Sequence, residues 1–472
     1  MIGKAVRLFF ENMQSIGIKK WMIFLVIGSS VIIFFLFQQT DLIHTNVSSL
    51  AYLDGHIIDF YDYNQKVVGG NNYLPSTYVL FAIWNIPIKF TGCFNSDFAQ
   101  QQLLLMQNIP PNYPFTCTGL SLFWAKLLPV LVYFANAYLV FLIMRALLSS
   151  KKQSIQTAIL WFTTPIAFFS QFIFGQYDSF TLFFLLLGFY FLLKNKLVRF
   201  AIFFGIACTF KYFSALLFIP LLLLAEKKLI QQLKLLIIFL IPLIVVIVPY
   251  LHSPAFITGV FGFSAANYTT AFKLPIGISN VNITIIVFFW TILCVWAFFT
   301  ETTDQNDYNR VLVFASSAVF AIVFSFSFFH PQWVLIGSAF WVIQSSLSGN
   351  EAKYYFLDII LMLVFVCYMV LVWPFNVDQK LLSLGILARF FPPQDSALFF
   401  MRDLIPIKDP SLFFSIWSGL LISSTFYKYR PSAGNNNLAN LNGNLILARF
   451  FVGIGLFVIP ALYCLAHIEL GL

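Results

Sequence analysis

Long apolar runs separated by short polar segments make up most of the chain. Each run is long enough for an α-helix to cross the hydrocarbon core of a bilayer, which takes roughly 20 residues. The runs lie at 21–38, 120–147, 154–171, 178–194, 231–251, 280–299, 311–328, 331–347, 354–373, 411–427 and 445–467. This pattern predicts an all-α polytopic membrane protein.

Two further apolar stretches do not fit a single simple span. Residues 198–225 are too long for one helix and carry Lys211 at their centre, which predicts two short helices that meet near Lys211 on the outer side. Residues 73–90 are short and contain Pro75 and Pro87, which favours a re-entrant or interfacial element. Together these choices predict a bundle of about 13 transmembrane helices.

Basic residues test this topology, because Lys and Arg collect in cytoplasmic loops. When 73–90 does not span, most of the 27 Lys and Arg lie inside, whereas counting it as a span moves most of them outside. The preferred topology makes 1–20 a cytoplasmic amphipathic segment and puts the first loop, with its juxtamembrane helices, on the outer face.

The whole chain, 1–472, is therefore predicted to be one integral membrane domain. After the amphipathic segment it comprises the first outer loop at 39–72, a re-entrant or interfacial and outer-loop region at 73–119, a transmembrane core at 120–373, an outer segment at 374–410 and C-terminal helices at 411–472.

Composition agrees with this class of protein. Apolar residues make up 60% of the chain, charged residues only 10%, and the mean hydropathy is +0.86, whereas soluble domains carry about 25% charged residues. The 60 Phe, with many Ile, Asn and Lys, favour a bacterial origin. Cys93 and Cys117 share the outer stretch 91–119, which allows a disulfide there. We expect membrane lipids as partners and no nucleic acid.

The outer loop at 39–72 concentrates ionisable side chains. They are Asp41, His44, Asp54, His56, Asp59 and Asp62. Asp41 comes shortly after the first span, so its carboxylate is held near the outer face, where it can act as a general base. Farther along, His56, Asp59 and Tyr63 share one predicted helical face, and Asp62 lies nearby. Such groups can deprotonate a hydroxyl or bind a divalent cation; the alternative is a solvated loop whose acids cap helices.

Two later segments between spans carry candidates that face the same side. GQYDS at 175–179 contains Gln176, Tyr177 and Asp178. Asp178 is either an N-cap of the following helix or a residue that faces a cavity, because an ionisable group at that depth is costly. HPQW at 330–333 contributes His330 and Gln332.

Basic groups near lipid on the outer side are few. Lys211 lies between the two short helices, and Arg389 lies in the apolar sequence LLSLGILARFF. A phosphate-bearing lipid would need such cations. For Arg389, the alternative is a side chain that snorkels to the membrane interface.

Taken in order, these motifs resemble the GT-C membrane glycosyltransferases, most closely the bacterial polyprenyl-phosphate-sugar-dependent, mannosyltransferase-like families. The shared elements are a first span, Asp41-Leu42, a glycine turn running from Gly55 to Tyr61-Asp62, YLPSTYVLFAIW at 73–84, GQYDS, FKYFSALLFIPLLLL at 210–224 and HPQW. The resemblance covers about residues 20 to 350.

The resemblance implies an enzyme of the extracytoplasmic face of the bacterial plasma membrane. It would transfer a sugar, usually with inversion, from a polyprenyl-phosphate donor to a lipid-linked or surface glycan acceptor. The first-loop base maps onto Asp41, with Asp59 or Asp62 as alternatives. His44, His56, Asp59 and Asp178 are expected to contact substrate, as are Gln176, Tyr177 and Gln332, and Lys211, His330 and Arg389 to contact phosphate. No cofactor is expected, although the His and Asp content of the loop leaves a divalent metal open.

Two other classes of protein suit a many-helix membrane chain. A transporter or flippase of a lipid-linked glycan would use intramembrane polar residues. A polysaccharide polymerase or ligase would also bind lipid phosphates, but its large outer loop is expected late in the chain. Here the acids cluster early and on one surface, which favours the transferase.

Overall fold

The computed structural model describes residues 18–91, 117–148, 150–262, 270–276, 281–348, 351–373, 377, 381–382, 384–387, 401–429 and 443–470. Arg389, Cys93 and most of the amphipathic segment 1–20 lie outside these residues, as does the side chain of Cys117. The interpretations made for them, including the disulfide, therefore stay predictions.

Helices dominate the described residues. They are α1 Lys20–Leu36, α2 Thr40–Ser48, α3 Leu50–Leu53, α4 Phe60–Val67, α5 Pro75–Lys89, α6 Cys117–Leu147, α7 Lys151–Phe162, α8 Pro165–Phe168, α9 Asp178–Leu193, α10 Leu197–Cys208, α11 Phe213–Ala225, α12 Leu229–Ile247, α13 Pro254–Phe256, α14 Ile285–Phe299, α15 Gln305–Phe326, α16 Val334–Ser348, α17 Glu351–Val372, α18 Met401–Leu404, α19 Pro410–Tyr429 and α20 Gly443–Leu470. π-Helices occupy Phe169–Ile173 and Ile257–Phe261, and 3₁₀ turns occupy Val248–Tyr250 and Pro331–Trp333.

Within the described chain, 5 helices are long and apolar enough to cross a membrane. They are Leu120–Leu147, Leu229–Tyr250, Gln305–Phe326, Lys353–Val372 and Gly443–Cys464. Shorter apolar helices, such as Asp178–Leu193 and Ile285–Phe299, accompany them. The chain is thus a mostly helical protein of membrane character, while the larger number of spans expected from the sequence stays a prediction.

The predicted division of 198–225 into two helices agrees with the structure. Helix α10 ends at Cys208 and α11 begins at Phe213, with Lys211 in the turn between them. The break puts Lys211 at the junction of two apolar helices, where its ammonium group reaches inward rather than into lipid. The lysine that marked the break in the sequence is therefore also part of a buried polar centre.

Two predicted spans need correction. The run 280–299 does not begin as helix, because Asn282–Thr284 pairs antiparallel with Lys273–Pro275 and α14 starts only at Ile285. This hairpin of two three-residue strands is a minor addition to a mostly helical chain. Leu274, which precedes a proline, is biased towards extended backbone. The run 154–171 is not one helix either, because α7 ends before Thr163 and Pro165 opens α8. Proline cannot donate the backbone hydrogen bond that would continue α7.

The described helices share one large apolar core. Helix α9 packs against α6 and α10, and α10 packs against α12. In the second half of the chain, α15 and α17 both pack on α19, and α17 also packs on α20. Buried aromatic side chains such as Phe189, Phe218 and Phe320 join these groups in one cluster. The core holds rigid the ends of α9, α10 and α11, from which several polar candidates project.

Candidate functional site

The first outer loop begins with a sharp change of direction. Helix α2 is bent by 73° from α1, so it does not continue the line of that span. Gln39 caps α2, and its side-chain oxygen accepts a hydrogen bond from the backbone N–H of Asp41. Asp41 therefore sits in the first turn of a capped helix, where the helix dipole favours a carboxylate.

Asp41 is the meeting point of several predicted site residues. Its carboxylate interacts electrostatically with His44, Lys211 and Asp178, and it approaches the amide of Gln176. Burial raises the pKa of the Asp41 carboxyl above its ordinary value, and the cationic and amide neighbours oppose that rise. The structure thus brings together residues from α2, from the turn before α9 and from the turn between α10 and α11.

A buried ion pair forms the floor of this site. Lys211 Nζ lies 3.1 Å from Asp178 Oδ1, and the two side chains are 5% and 0% exposed. The ammonium group also lies 4.8 Å from the ring centroid of Trp333 and 5.2 Å from that of Tyr73. Among the described residues, neither Lys211 Nζ nor the Asp178 oxygens make a hydrogen bond of good geometry. Lys211 therefore keeps donor capacity for an anion.

The structure decides between the two interpretations of Asp178. Helix α9 starts at Asp178 itself, and Tyr177 is the N-cap residue. Asp178 makes no capping hydrogen bond from its side chain but pairs with Lys211, far along the chain. The N-cap interpretation is therefore wrong, and the residue faces a partner inside the bundle.

The segment that presents Gln176 and Tyr177 has unusual backbone geometry. It follows the π-helix Phe169–Ile173. π-Helices are rare in proteins, and those that occur are often found at functional sites. Gly175 has φ of +72°, and a Cβ there would lie 2.9 Å from the Cε atom of Lys126. Glycine is thus needed for both the left-handed backbone and the close approach of lysine. The Gln176 side chain is buried, and its amide acts on the Asp41 carboxylate.

His330 and Gln332 reach the site from the turn before α16. The His330 ring stacks on Trp373 with ring centroids 4.2 Å apart. Burial, with the nearby charge of Lys211, lowers the pKa of His330 to about 3, so the imidazole is neutral at physiological pH. Gln332 is buried, and its Oε1 atom has no partner in the described chain. His330 can therefore serve as a neutral N–H donor but not as a cation.

The other acids of the loop lie apart from this centre. His56 Nδ1 is 2.9 Å from Asp59 Oδ2, and the His56 ring stacks on Tyr63 at 3.6 Å. The three were expected on one helical face, but α4 begins only at Phe60, so His56 and Asp59 precede it. The Asp59 side chain is 59% exposed, and its hydrogen bond with His56 lowers the Asp59 pKa.

Two further acids have structural partners. Asp62 Oδ1 accepts a hydrogen bond from the backbone N–H of Ala255, which ties α4 to α13. Asp54 forms a 3.0 Å ion pair with Lys89 near the surface. Neither Asp59 nor Asp62 is among the charges that act on Asp41. Of these three acids, only Asp41 belongs to the buried centre with Lys211 and Asp178.

Sequence reasoning missed several residues of the site. The rings of Tyr73 and Trp333 flank the ammonium group of Lys211. The two residues belong to YLPSTYVLFAIW and HPQW, motifs that had already indicated this part of the chain. Lys126 was not singled out from the sequence. A second buried ion pair, Arg449 Nη1 to Asp358 Oδ2 at 3.1 Å, was not predicted. A lone charge inside an apolar run is the signal that marks both Lys126 and Asp358.

Lys126 links the two segments that carry the candidate residues. Its fully buried ammonium donates to the backbone carbonyls of Phe34, Phe37 and Phe172. The first two lie at the end of α1, just before Asp41, and the third lies in the π-helix that precedes Gln176. A cation at these helix ends satisfies carbonyls that have no partner within the helix.

We expect Lys126→Met to lower the free energy of unfolding by about 2–4 kcal/mol, because three buried carbonyls would lose a charged donor. Thermal unfolding of the purified protein in detergent measures the effect. Lys89→Met, which removes a half-exposed lysine from a surface ion pair, is the control and should change little. An equal Tm for both variants would show that the buried contacts of Lys126 contribute no more to stability than the surface ion pair of Lys89.

Among the described residues, no group of three or more His, Cys, Asp or Glu is arranged to hold a metal ion. No protein-family model, curated protein or solved structure matches this sequence. Function is therefore inferred from the geometry around Asp41 and from the order of the motifs.

Proposed function

We propose that the chain is a GT-C type glycosyltransferase of the bacterial plasma membrane. It transfers a sugar from a polyprenyl-phosphate donor to a lipid-linked or surface glycan acceptor at the extracytoplasmic face, with inversion. One observation carries the proposal: the Asp41 carboxylate lies within electrostatic range of a buried lysine, Lys211, that has donor capacity to spare. Such a pair offers a base for one reactant and a cation for the leaving group of the other.

Asp41 acts on the acceptor. Its carboxylate takes the proton from the acceptor hydroxyl while that oxygen forms a bond to the anomeric carbon of the donor sugar. The bond from the anomeric carbon to the phosphate oxygen breaks, and its electron pair leaves with the lipid phosphate. Because attack and departure occur on opposite faces of the sugar, the anomeric configuration inverts. The capped first turn of α2 fixes the carboxylate for this step.

Lys211 acts on the leaving group. The phosphate gains negative charge as the sugar departs, and a buried ammonium next to it stabilises that charge more strongly than one in water would. Trp333 and Tyr73 exclude water from the ammonium group on two sides. Asp178 holds the lysine in place, and the neutral imidazole of His330 lies near enough to be acted on by the charge of Lys211.

The decisive experiment is sugar transfer by the purified protein in proteoliposomes. A panel of polyprenyl-phosphate donors with radiolabelled sugars is supplied with lipid-linked and glycan acceptors, and product is separated from donor. Transfer of a single sugar supports the proposal. Movement of labelled lipid across the bilayer without any product would indicate a flippase instead, and products of many repeats would indicate a polymerase.

The flippase is the second candidate because of one observation. The Arg449–Asp358 pair is buried among apolar helices, and its side chains are 0% and 6% exposed. Intramembrane charges of this kind also occur on transport pathways. Arg449 further donates to the Leu160 carbonyl and to Thr163 Oγ1, so it also has a purely structural explanation as a link between α20 and α7.

The ranking of the loop acids is directly testable. We expect Asp59→Asn to keep sugar transfer within about threefold of the wild type, because its exposed carboxylate contacts His56 and not Asp41. Initial rates of transfer at saturating donor measure this. His56→Gln, which removes the partner of Asp59, is the companion variant and should behave in the same way. A loss of a hundredfold or more in Asp59→Asn would make Asp59 the base and remove Asp41.

A further inference from the structure

An apolar groove lies at the end of the bundle away from Asp41. It is formed by the start of α1, the middle of α6, most of α7 and the start of α20, and it has a volume of about 630 Å³. Its lining residues are Ile18, Met22, Ile23, Val26, Ile27, Phe134, Ala137, Tyr138, Phe141, Lys151, Ile155, Ala158, Ile159, Phe162, Thr163, Gly443, Ile446 and Leu447. Ile27 and Tyr138 are 49% and 61% exposed, so the groove is open along one side.

The length of the groove follows from α7. Its lining side chains Lys151, Ile155, Ala158 and Phe162 form one stripe that runs the whole helix. A helix of 12 residues is about 18 Å long. One leaflet of a bilayer has a hydrocarbon thickness of about 15 Å, half of the ~30 Å core. The groove is therefore as long as one acyl chain. The small side chains of Ala137 and Ala158 leave space for that chain between the helices.

Positive charge gathers at one end of this groove. Among the described residues, Lys151 is the only charged residue that lines the groove. Lys19 and Lys20 follow Ile18 at the start of α1, and Lys152 follows Lys151 at the start of α7. Neither helix has an acidic residue in its first turn. Lysines at a helix N-terminus oppose the helix dipole, which makes the position favourable for a bound anion.

We propose that this groove binds one molecule of an anionic phospholipid. The phosphate lies at Lys151, and one acyl chain lies along α7 between α1 and α6. The preference for positive residues in cytoplasmic loops accounts for the lysines, but it does not account for a chain-length apolar groove that starts at one of them. The basic end of the site is separate from the Asp41 centre, because the 17 residues of α1, about 25 Å, lie between Lys20 and the end of that helix before Asp41.

Thermal unfolding in mixed micelles tests the site without reference to sugar transfer. The full-length protein in a neutral detergent is titrated with phosphatidylglycerol or with phosphatidylcholine of the same acyl chains. A ligand that binds only the folded protein raises Tm. We expect a saturable rise in Tm with phosphatidylglycerol and a smaller one with phosphatidylcholine. Lys151→Ala should weaken the apparent affinity for phosphatidylglycerol about fivefold, the effect of one lysine near a lipid phosphate.

Two further variants separate the two halves of the site. Ala158→Phe fills the groove and should abolish the phosphatidylglycerol-dependent rise while the basic end stays intact. Lys196→Ala, an exposed lysine before α10 that does not line the groove, should keep the wild-type affinity. Equal shifts for the two lipids, or an unchanged affinity in Lys151→Ala, would overturn the proposal. If Ala158→Phe folds and still responds fully, the acyl chain is elsewhere and the groove is not the site.

Discussion

Replacement of Asp41 by asparagine is expected to reduce sugar transfer by about 10²–10⁴-fold, the usual contribution of a general base. The amide keeps the size and the place of the carboxylate in the first turn of α2, but it cannot take a proton from the acceptor hydroxyl. Tm should remain close to the wild-type value, because burial already disfavours the charged form of this group. Initial rates of transfer in proteoliposomes and thermal unfolding measure the two effects.

Asp54→Asn is the matched control for this substitution. It makes the same chemical change in the same loop, at a carboxylate that pairs with Lys89 near the surface. Transfer by Asp54→Asn should stay near the wild-type rate. If Asp41→Asn also kept its activity, Asp41 would not be the base; if both variants lost activity alike, the loop as a whole, rather than its first carboxylate, would be required.

The same carboxylate predicts the sign of the pH dependence. A base works only when deprotonated, so transfer should fall as the pH falls through the pKa of Asp41. Because burial raises that pKa, the loss should begin at a higher pH than the ordinary value of about 3.9 would give. A profile of kcat/KM against pH, taken over the range where Tm is constant, shows this limb. In Asp41→Asn the limb should disappear from the residual activity.

The sequence predicted the elements of this site better than it predicted their contacts. Lys211 stood out because a charge in the middle of an apolar run requires a break or a partner, and the structure has both. Asp178 was ambiguous, because a carboxylate just before an apolar helix also fits an N-cap. Only the fold reveals that the ends of α9 and α10 bring Asp178 next to Lys211. The two residues are far apart in the sequence, so no short-range spacing of residues indicates that they pair.

The missed residues share a physical reason. Lys126 is satisfied by backbone carbonyls, which every residue has, so nothing in the sequence identifies its partners. The hairpin at Lys273–Pro275 and Asn282–Thr284 escaped because its second strand merges into an apolar run. Where apolar residues follow one another without a period, a helical span and a short strand cannot be distinguished from the sequence. At both places the structure depends on how deeply a residue is buried and which group it contacts, rather than on the type of residue.

The Lys211–Asp178 pair should dominate both stability and activity. Asp178→Asn leaves a lysine that is 5% exposed without its counter-charge, and Lys211→Met leaves a fully buried carboxylate alone. Removal of one partner of such a pair costs about 3–5 kcal/mol of unfolding free energy. Both single variants should therefore unfold at a lower temperature. Lys211→Met should also lose sugar transfer, because the leaving phosphate loses its cation.

The double variant Asp178→Asn/Lys211→Met separates these two roles. Without either charge, the core should regain most of the lost stability, since an uncompensated charge is what makes each single variant costly. Activity should not return, because methionine offers phosphate no positive charge. The surface pair Lys89–Asp54, with the same residue types at 3.0 Å but side chains that are 37% and 27% exposed, should show a coupling of at most about 1 kcal/mol. A double variant as unstable as the sum of its singles would mean that packing, rather than the ion pair, holds this junction together; one that transfers sugar normally would remove Lys211 from the chemistry.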